Sequence, residues 1–144
     1  MNKADKIKRR MAESMVRGRK NMENAKYGEF VIQTNEVQYF LALAVLMRSS
    51  FVDNEYKNWL FDRAELGTLI GLFRVCARLT PSMYALFMQL QQYKKDRNRL
   101  AHKMFLSKTR LTPAECEKAI ALGQEILKKL YALAKISRRK KAGI

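Results

Sequence analysis

The stretch that decides the fold is residues 66–93, which read LGTLIGLFRVCARLTPSMYALFMQLQQY. Apolar residues recur at helical spacing on both sides of Thr80-Pro81, first within residues 62–78 and then up to Tyr93. A threonine N-cap followed by proline is a common helix start, because the N–H that proline lacks is unpaired at that position anyway. The stretch therefore predicts two amphipathic helices. The two stripes are Leu66, Leu69, Ile70, Phe73 and Ala77, and then Met83, Leu86, Phe87, Leu90 and Tyr93.

Helical patterns also lie before and after this stretch. Residues 36–51 repeat apolar groups at helical spacing, and residues 49–54 indicate a break. Downstream, Thr112-Pro113-Ala114-Glu115 is a capping box that opens a long helix. Because no alternating strand pattern of convincing length occurs, we expect an all-α fold. Its architecture is predicted to be an up-and-down bundle of four to five helices, the fifth being N-terminal. Gly67 and Gly71, four residues apart, indicate close helix packing.

The length of 144 residues predicts one domain, and the 48% hydrophobic content is enough for a core. We expect a basic arm or helix over residues 1–30, the helical domain over 31–137, and a basic tail over 138–144. The longest apolar run, residues 39–47, is far shorter than the ~20 residues that a membrane span needs. No apolar segment of a secretory signal follows the basic N-terminus. The expectation is a cytoplasmic protein without a membrane partner.

The net charge of +16 predicts a polyanionic partner. It is distributed unevenly: residues 1–26 carry +6, residues 27–66 carry −3, residues 67–111 carry +8 and residues 112–144 carry +5. Cys76 and Cys116 are the two cysteines, and the chain has one histidine. These numbers exclude a disulfide framework and most zinc sites, so we expect no metal and no cofactor.

The single histidine lies inside the most basic segment. Residues 97–102 read RNRLAH, which places Arg97 and Asn98 shortly before His102. Histidine exchanges protons near neutrality, and a guanidinium stabilises the charge that develops on a phosphate, so the two residue types suit RNA cleavage through the neighbouring 2′-OH. One histidine cannot easily serve as both acid and base, so the sequence favours a homodimer. In a regular helix, the side chains of Arg97 and His102 leave the helix axis in directions ~140° apart, so they would start from different sides of the helix.

This Arg-Asn-x-x-Ala-His stretch resembles the signature of the HEPN superfamily (higher eukaryotes and prokaryotes nucleotide-binding), whose members are small all-α domains. The resemblance covers about residues 36–136 and implies a metal-independent endoribonuclease that acts as a dimer. It implies that Arg97 and His102 are the catalytic pair and that Asn98 is a polar auxiliary. Some toxin members have tyrosine two positions after the histidine, where this chain has Met104.

Further basic side chains around the motif are candidates for phosphate binding. They are Lys94, Lys95, Arg99 and Lys103. RNA is thus the predicted partner, and an antitoxin or regulatory protein is a further candidate. Two alternatives remain: a non-catalytic RNA- or ribosome-binding helical protein or regulatory adaptor, and a helix-turn-helix DNA-binding protein, which lacks support because no tight glycine turn joins two short helices.

Overall fold

A computed structural model describes residues 2–49, 53–77, 80–102 and 111–142, with side chains at all of these positions except 16–24, 101, 102 and 136–142. This part of the chain forms five helices and contains no strand, which confirms the all-α prediction. The helices are α1 (Lys3–Arg48), α2 (Asn54–Asp62), α3 (Leu66–Cys76), α4 (Pro81–His102) and α5 (Pro113–Ala142). α1 packs against α5, α3 and α2, and α4 packs against α3 and α5.

α1 is one continuous helix of 46 residues, about 69 Å long. The boundary predicted at residue 30 falls inside it, so the N-terminal helix and the first core helix are the same element. Asn2 caps its start by accepting a hydrogen bond from the Asp5 N–H at 2.8 Å. Residues 2–15 are all exposed, whereas the later part of α1 contributes to the core. α1 therefore combines a core element with an exposed N-terminal end.

The segment Ala25–Arg48 of α1 is long and apolar enough, by length and composition alone, to cross a membrane. In this fold the same segment supplies large buried side chains to the core. They include Phe30, Val37, Leu41 and Val45. Packing within the chain thus accounts for much of its apolar character.

α2 begins where the sequence indicated only a break. Asp53 is its N-cap and accepts a hydrogen bond from the Tyr56 N–H at 2.7 Å. Leu60 is the one buried residue of this helix, and Tyr56 and Phe61 pack partly against the core. Asp53 and Asn54 thus start a second helix directly after the break, where the sequence analysis expected none.

The predicted starts of α4 and α5 are confirmed. The Thr80 hydroxyl accepts a hydrogen bond from the Met83 N–H at 3.3 Å. In the capping box, the Glu115 N–H donates to Thr112 Oγ1 at 3.2 Å, and the Thr112 N–H donates to Glu115 Oε1 at 3.3 Å. These contacts satisfy backbone donors that a helix start otherwise leaves unpaired.

A buried polar network joins α1, α4 and α5 inside the apolar core. Gln33 Nε2 donates to the Ile120 carbonyl at 2.8 Å, and the Tyr93 hydroxyl donates to Gln33 Oε1 at 2.9 Å. Thr34 Oγ1 lies 3.3 Å from the same hydroxyl and donates to the Phe30 carbonyl at 2.9 Å. Burial raises the pKa of the Tyr93 phenol far above its ordinary value, so it stays a neutral donor.

Gly123 provides the space for this network. A Cβ at position 123 would overlap the Gln33 side-chain amide, so Gln33 fits against α5 only because position 123 has no side chain. The sequence indicated close packing at Gly67 and Gly71 instead. That expectation is wrong for Gly71, where a Cβ would meet nothing within 4 Å, while one at Gly67 would make ordinary contact with Lys94 Cδ at 3.5 Å.

We predict that Gly123→Ala lowers the free energy of unfolding by about 1–3 kcal/mol, because the added methyl group displaces a buried, hydrogen-bonded amide. Gly71→Ala is the matched control. It should raise the free energy of unfolding by about 0.5–1 kcal/mol, because alanine is the better helix former and meets no obstruction. Urea unfolding measures both, and equal stabilisation by the two variants would contradict the packing described.

Candidate functional site

The predicted site residues lie in the last three turns of α4. The helix runs through the motif to His102, so Lys94, Lys95, Arg97, Asn98 and Arg99 all lie on one helical segment. Lys95 is exposed and the other four are half-buried. The side chain of His102 and the whole of Lys103 lie outside the described residues.

Arg97 and Asn98 contact each other directly. The Arg97 guanidinium donates to Asn98 Oδ1 at 3.4 Å, a long hydrogen bond between neighbours in the chain. Asn98 and position 102 are four residues apart and share one side of α4, whereas Arg97 starts from a different side. The contact inclines the guanidinium towards the side of α4 that carries Asn98.

Arg99 is committed to an interhelical ion pair. Its guanidinium donates to Glu115 Oε2 at the start of α5, and both side chains are more than a third exposed. The other carboxylate oxygen, Oε1, accepts from Thr112. Glu115 thereby caps α5 and ties it to the end of α4, and the hydrogen bond from Arg99 is the main reason that the pKa of Glu115 is lowered.

Asp96 is the one acidic residue between positions 67 and 111. Gln92 Nε2 donates to its Oδ1 at 3.3 Å, one turn earlier on the same helix. Partial burial raises the pKa of this carboxyl group despite that hydrogen bond. When Asp96 is ionised, its charge offsets one of the four positive charges on residues 94–99 and leaves this segment with +3.

The start of α5 is anchored to the middle of α1. The Tyr27 hydroxyl donates to the Leu111 carbonyl at 2.7 Å, and Cys116 Sγ donates to the Lys26 carbonyl at 3.6 Å. Lys26 also forms an ion pair with Glu117. These contacts position the start of α5, which in turn positions the end of α4 through its ion pair with that helix.

Within the described ranges, no three His, Cys, Asp or Glu side chains are placed to hold a metal ion. The arrangement at the end of α4 is instead a row of cations with an amide, which suits contact with phosphate oxygens. Sequence reasoning missed the partnership of Arg99 with Glu115, because the capping box explains Glu115 without reference to another helix.

Comparison of the chain with protein-family models, with curated proteins and with solved structures found no match.

We predict that the stabilising effect of the Glu115 charge disappears in acid. The folded-state pKa of Glu115 lies below its ordinary value of 4.5, so its contribution is present above that pH and is lost as the pH falls through the folded pKa. Glu115→Gln keeps a side chain that suits the capping box but removes the charge. Its Tm should be lower than that of the wild type at neutral pH and should approach it below pH 4.5.

Arg99→Met supplies the control for this experiment. In that background the ion pair is absent, so Glu115→Gln should change Tm much less, and with a weaker pH dependence. If the Tm difference caused by Glu115→Gln in the protein with Arg99 stays constant from neutral to acid pH, the assignment is wrong.

Proposed function

We propose that this chain is a metal-independent endoribonuclease of HEPN type, built on a HEPN-like helical bundle. The observation that carries the proposal is the end of α4, where half-buried Arg97 and Asn98 form a contact in the same helical segment as His102, next to exposed Lys95. Support comes also from the RNRLAH motif, from the all-α fold and from the charge of +8 on residues 67–111.

In the proposed reaction, the 2′-OH of RNA attacks the adjacent phosphorus. The bond between phosphorus and the leaving 5′-oxygen breaks, and a 2′,3′-cyclic phosphate remains. One His102 accepts the proton of the 2′-OH, and a second His102, from the other subunit of a homodimer, protonates the 5′-oxygen. Arg97 stabilises the charge on the non-bridging oxygens, with Asn98 as auxiliary. The RNA backbone is attracted by Lys94, Lys95, Arg99 and Lys103.

A second candidate function is RNA or ribosome binding without catalysis. One observation favours it: α4 continues as a helix to His102, which separates the positions of Arg97 and His102 by ~140° around the helix axis. In that case the positive charge at the end of α4 binds phosphate groups of RNA, and no residue there cleaves it. For both candidates we propose a cytoplasmic protein that does not act on a membrane, with an antitoxin or regulatory protein as a further partner.

The cleavage assay separates the two candidates. We predict that the purified protein cuts single-stranded RNA in the presence of EDTA and leaves a cyclic phosphate end. His102→Ala should lower the rate by about 10²–10⁴-fold, because it removes the proton-transfer group, with little change in RNA affinity. Equal cleavage by this variant would rule out the catalytic role. Absence of cleavage by wild-type protein that binds RNA would favour the second candidate.

RNA affinity should depend on the charge of α4. We predict that Lys95→Gln weakens binding and lowers the slope of log affinity against log salt concentration by about 0.7, the value for one lost phosphate contact on a single strand. Lys57→Gln, which removes the same charge from an exposed position on α2, is the matched control and should leave the slope unchanged. Equal slopes for the two variants would show that the RNA does not contact Lys95.

A further inference from the structure

Apolar or small residues recur at every seventh position along the whole of α1. The row, which we call the α1 seam, consists of Ala4, Met11, Gly18, Ala25, Ile32, Tyr39 and Leu46. On a straight helix, positions seven apart drift by ~20° per repeat, and a left-handed supercoil around a second helix removes this drift. The α1 seam supplies one of the two rows, a and d, that helices use when they pair along their length.

The α1 seam is largely uncovered within one chain. Met11 is 62% exposed, Ile32 is 64% exposed and Tyr39 is 55% exposed. The two alanines of the seam are also exposed, and at its far end Leu46 packs partly against the core. The seam thus lies on a different side of α1 from core residues such as Phe30, and contacts within the chain involve its far end, at Tyr39 and Leu46, but do not account for the exposed Met11 and Ile32.

The exposed N-terminal end of α1 has a second unexplained feature, which is an apolar edge beside basic side chains. Ile7, Met11 and Met15 are each more than half exposed. Residues 2–15 carry five basic side chains and two acidic ones. Residues 18 apart share one side of a helix, so Ile7 aligns with the exposed Ala25 rather than with the buried face.

The complementary surface lies at the other end of the molecule. Residues 53–65, which contain α2, carry four acidic side chains against two basic ones, in a chain whose net charge is +16. Trp59 is 37% exposed there, so this surface offers both an aromatic ring and carboxylates. An open groove on the helix is lined by Glu55, Asn58, Trp59, Asp62 and Arg63.

The two complementary surfaces cannot meet within one chain. The Tyr39 and Phe61 rings lie 5.3 Å apart, which places α2 beside residue 39 of α1. Met11 lies 28 residues earlier on the same unbroken helix, about 42 Å away along its axis. Because α1 is continuous, its basic end cannot fold back, and contact with an acidic α2 surface requires a second molecule.

We propose that two copies of this chain pair antiparallel along the α1 seam, with Ala25 at the twofold axis. Met11 of one copy then lies opposite Tyr39 of the other, and Gly18 lies opposite Ile32. The small residues near the axis allow close approach of the two helices. The basic N-terminal end of each copy reaches the acidic α2 of its partner, and the twofold closes the assembly as a dimer. This interface is formed by α1 and α2, and its tests do not depend on RNA cleavage.

Sedimentation of the full chain over a concentration series at physiological salt is the first test. At that salt, charges more than ~8 Å apart are largely screened, so the overall positive charge opposes pairing only weakly. The expected result is a dimer. A protein that remains monomeric throughout would overturn the proposal, including the outcome in which the monomer binds anionic vesicles or RNA through residues 2–15 instead.

A matched pair of variants tests the surface. Met11→Lys combined with Ile32→Lys should raise the dimer dissociation constant by at least about 100-fold, because two exposed seam residues become charged at an apolar contact. The control is Val75→Lys, which makes the same kind of change at a large apolar residue on α3 that is 82% exposed. The control should remain dimeric, and equal dissociation of both variants would overturn the proposal.

Charge reversal tests the pairing of the ends. Lys3→Glu with Lys8→Glu, the basic residues that lie nearest the seam around the axis of α1, should weaken the dimer, and so should Glu55→Lys with Asp62→Lys. All four changes together should restore much of the affinity, because each basic end of one copy faces α2 of the other. Additive weakening in the fourfold variant would show that these ends do not meet.

Cysteine cross-linking tests the direction of pairing, in a Cys76→Ser background because Cys76 is partly exposed. Ala25→Cys should form a disulfide between two copies, since position 25 faces itself. Met11→Cys should not cross-link to itself but should cross-link when mixed with Tyr39→Cys. Efficient self-linking at position 11 would indicate a parallel pair and overturn the antiparallel arrangement.

Discussion

The packing of the helices depends on the amide of Gln33. This side chain lies in an apolar core, yet both ends of its amide are satisfied, by the Ile120 carbonyl on α5 and by the Tyr93 hydroxyl on α4. An unpaired amide there would cost about 1–3 kcal/mol. The three helices must therefore keep the relative positions at which these bonds form, and Gly123 is the point on α5 that admits the amide. A purely apolar contact would tolerate small shifts, whereas this one does not.

The helix positions that these hydrogen bonds set also affect the candidate site, through the start of α5. The Ile120 carbonyl lies five residues after Glu115, so the capping carboxylate is within two turns of the buried network. Contacts from the middle of α1 hold this start in place. Glu115 also contacts the end of α4 through its ion pair with Arg99. Tyr93, which lies one turn before Arg97 on α4, links the same helix directly to the buried network, so the placement of Arg97 and Asn98 follows from the core.

Much of the fold could be predicted from the spacing of apolar residues. The parts that spacing does not predict either bury few side chains or depend on contacts between helices. The stripes of α3 and α4 follow local rules, and fully buried positions such as Phe73 confirm them. α2 has nine residues of which one is buried, and residues 2–15 of α1 are all exposed, so neither segment has the long buried stripe that predicts α3 and α4. Gln33 is polar at a core position, and only its partners on other helices explain it. For the site, the sequence identified the basic segment but not the commitment of Arg99 to Glu115, because that pairing depends on how two helices meet.

The continuity of α1 connects the core, the site and the proposed pairing. Lys26 and Tyr27 contact the start of α5, which therefore lies level with Ala25 along α1. If two copies pair antiparallel about Ala25, the starts of both α5 helices come to the same level of the paired helices, whereas any other centre would separate them along the axis. The basic segments of both copies would then lie level with one another across the pair. A polyanion that crosses the pair at its centre would contact the basic ends of two α4 helices. A single chain, with its net charge of +16, offers only one such end.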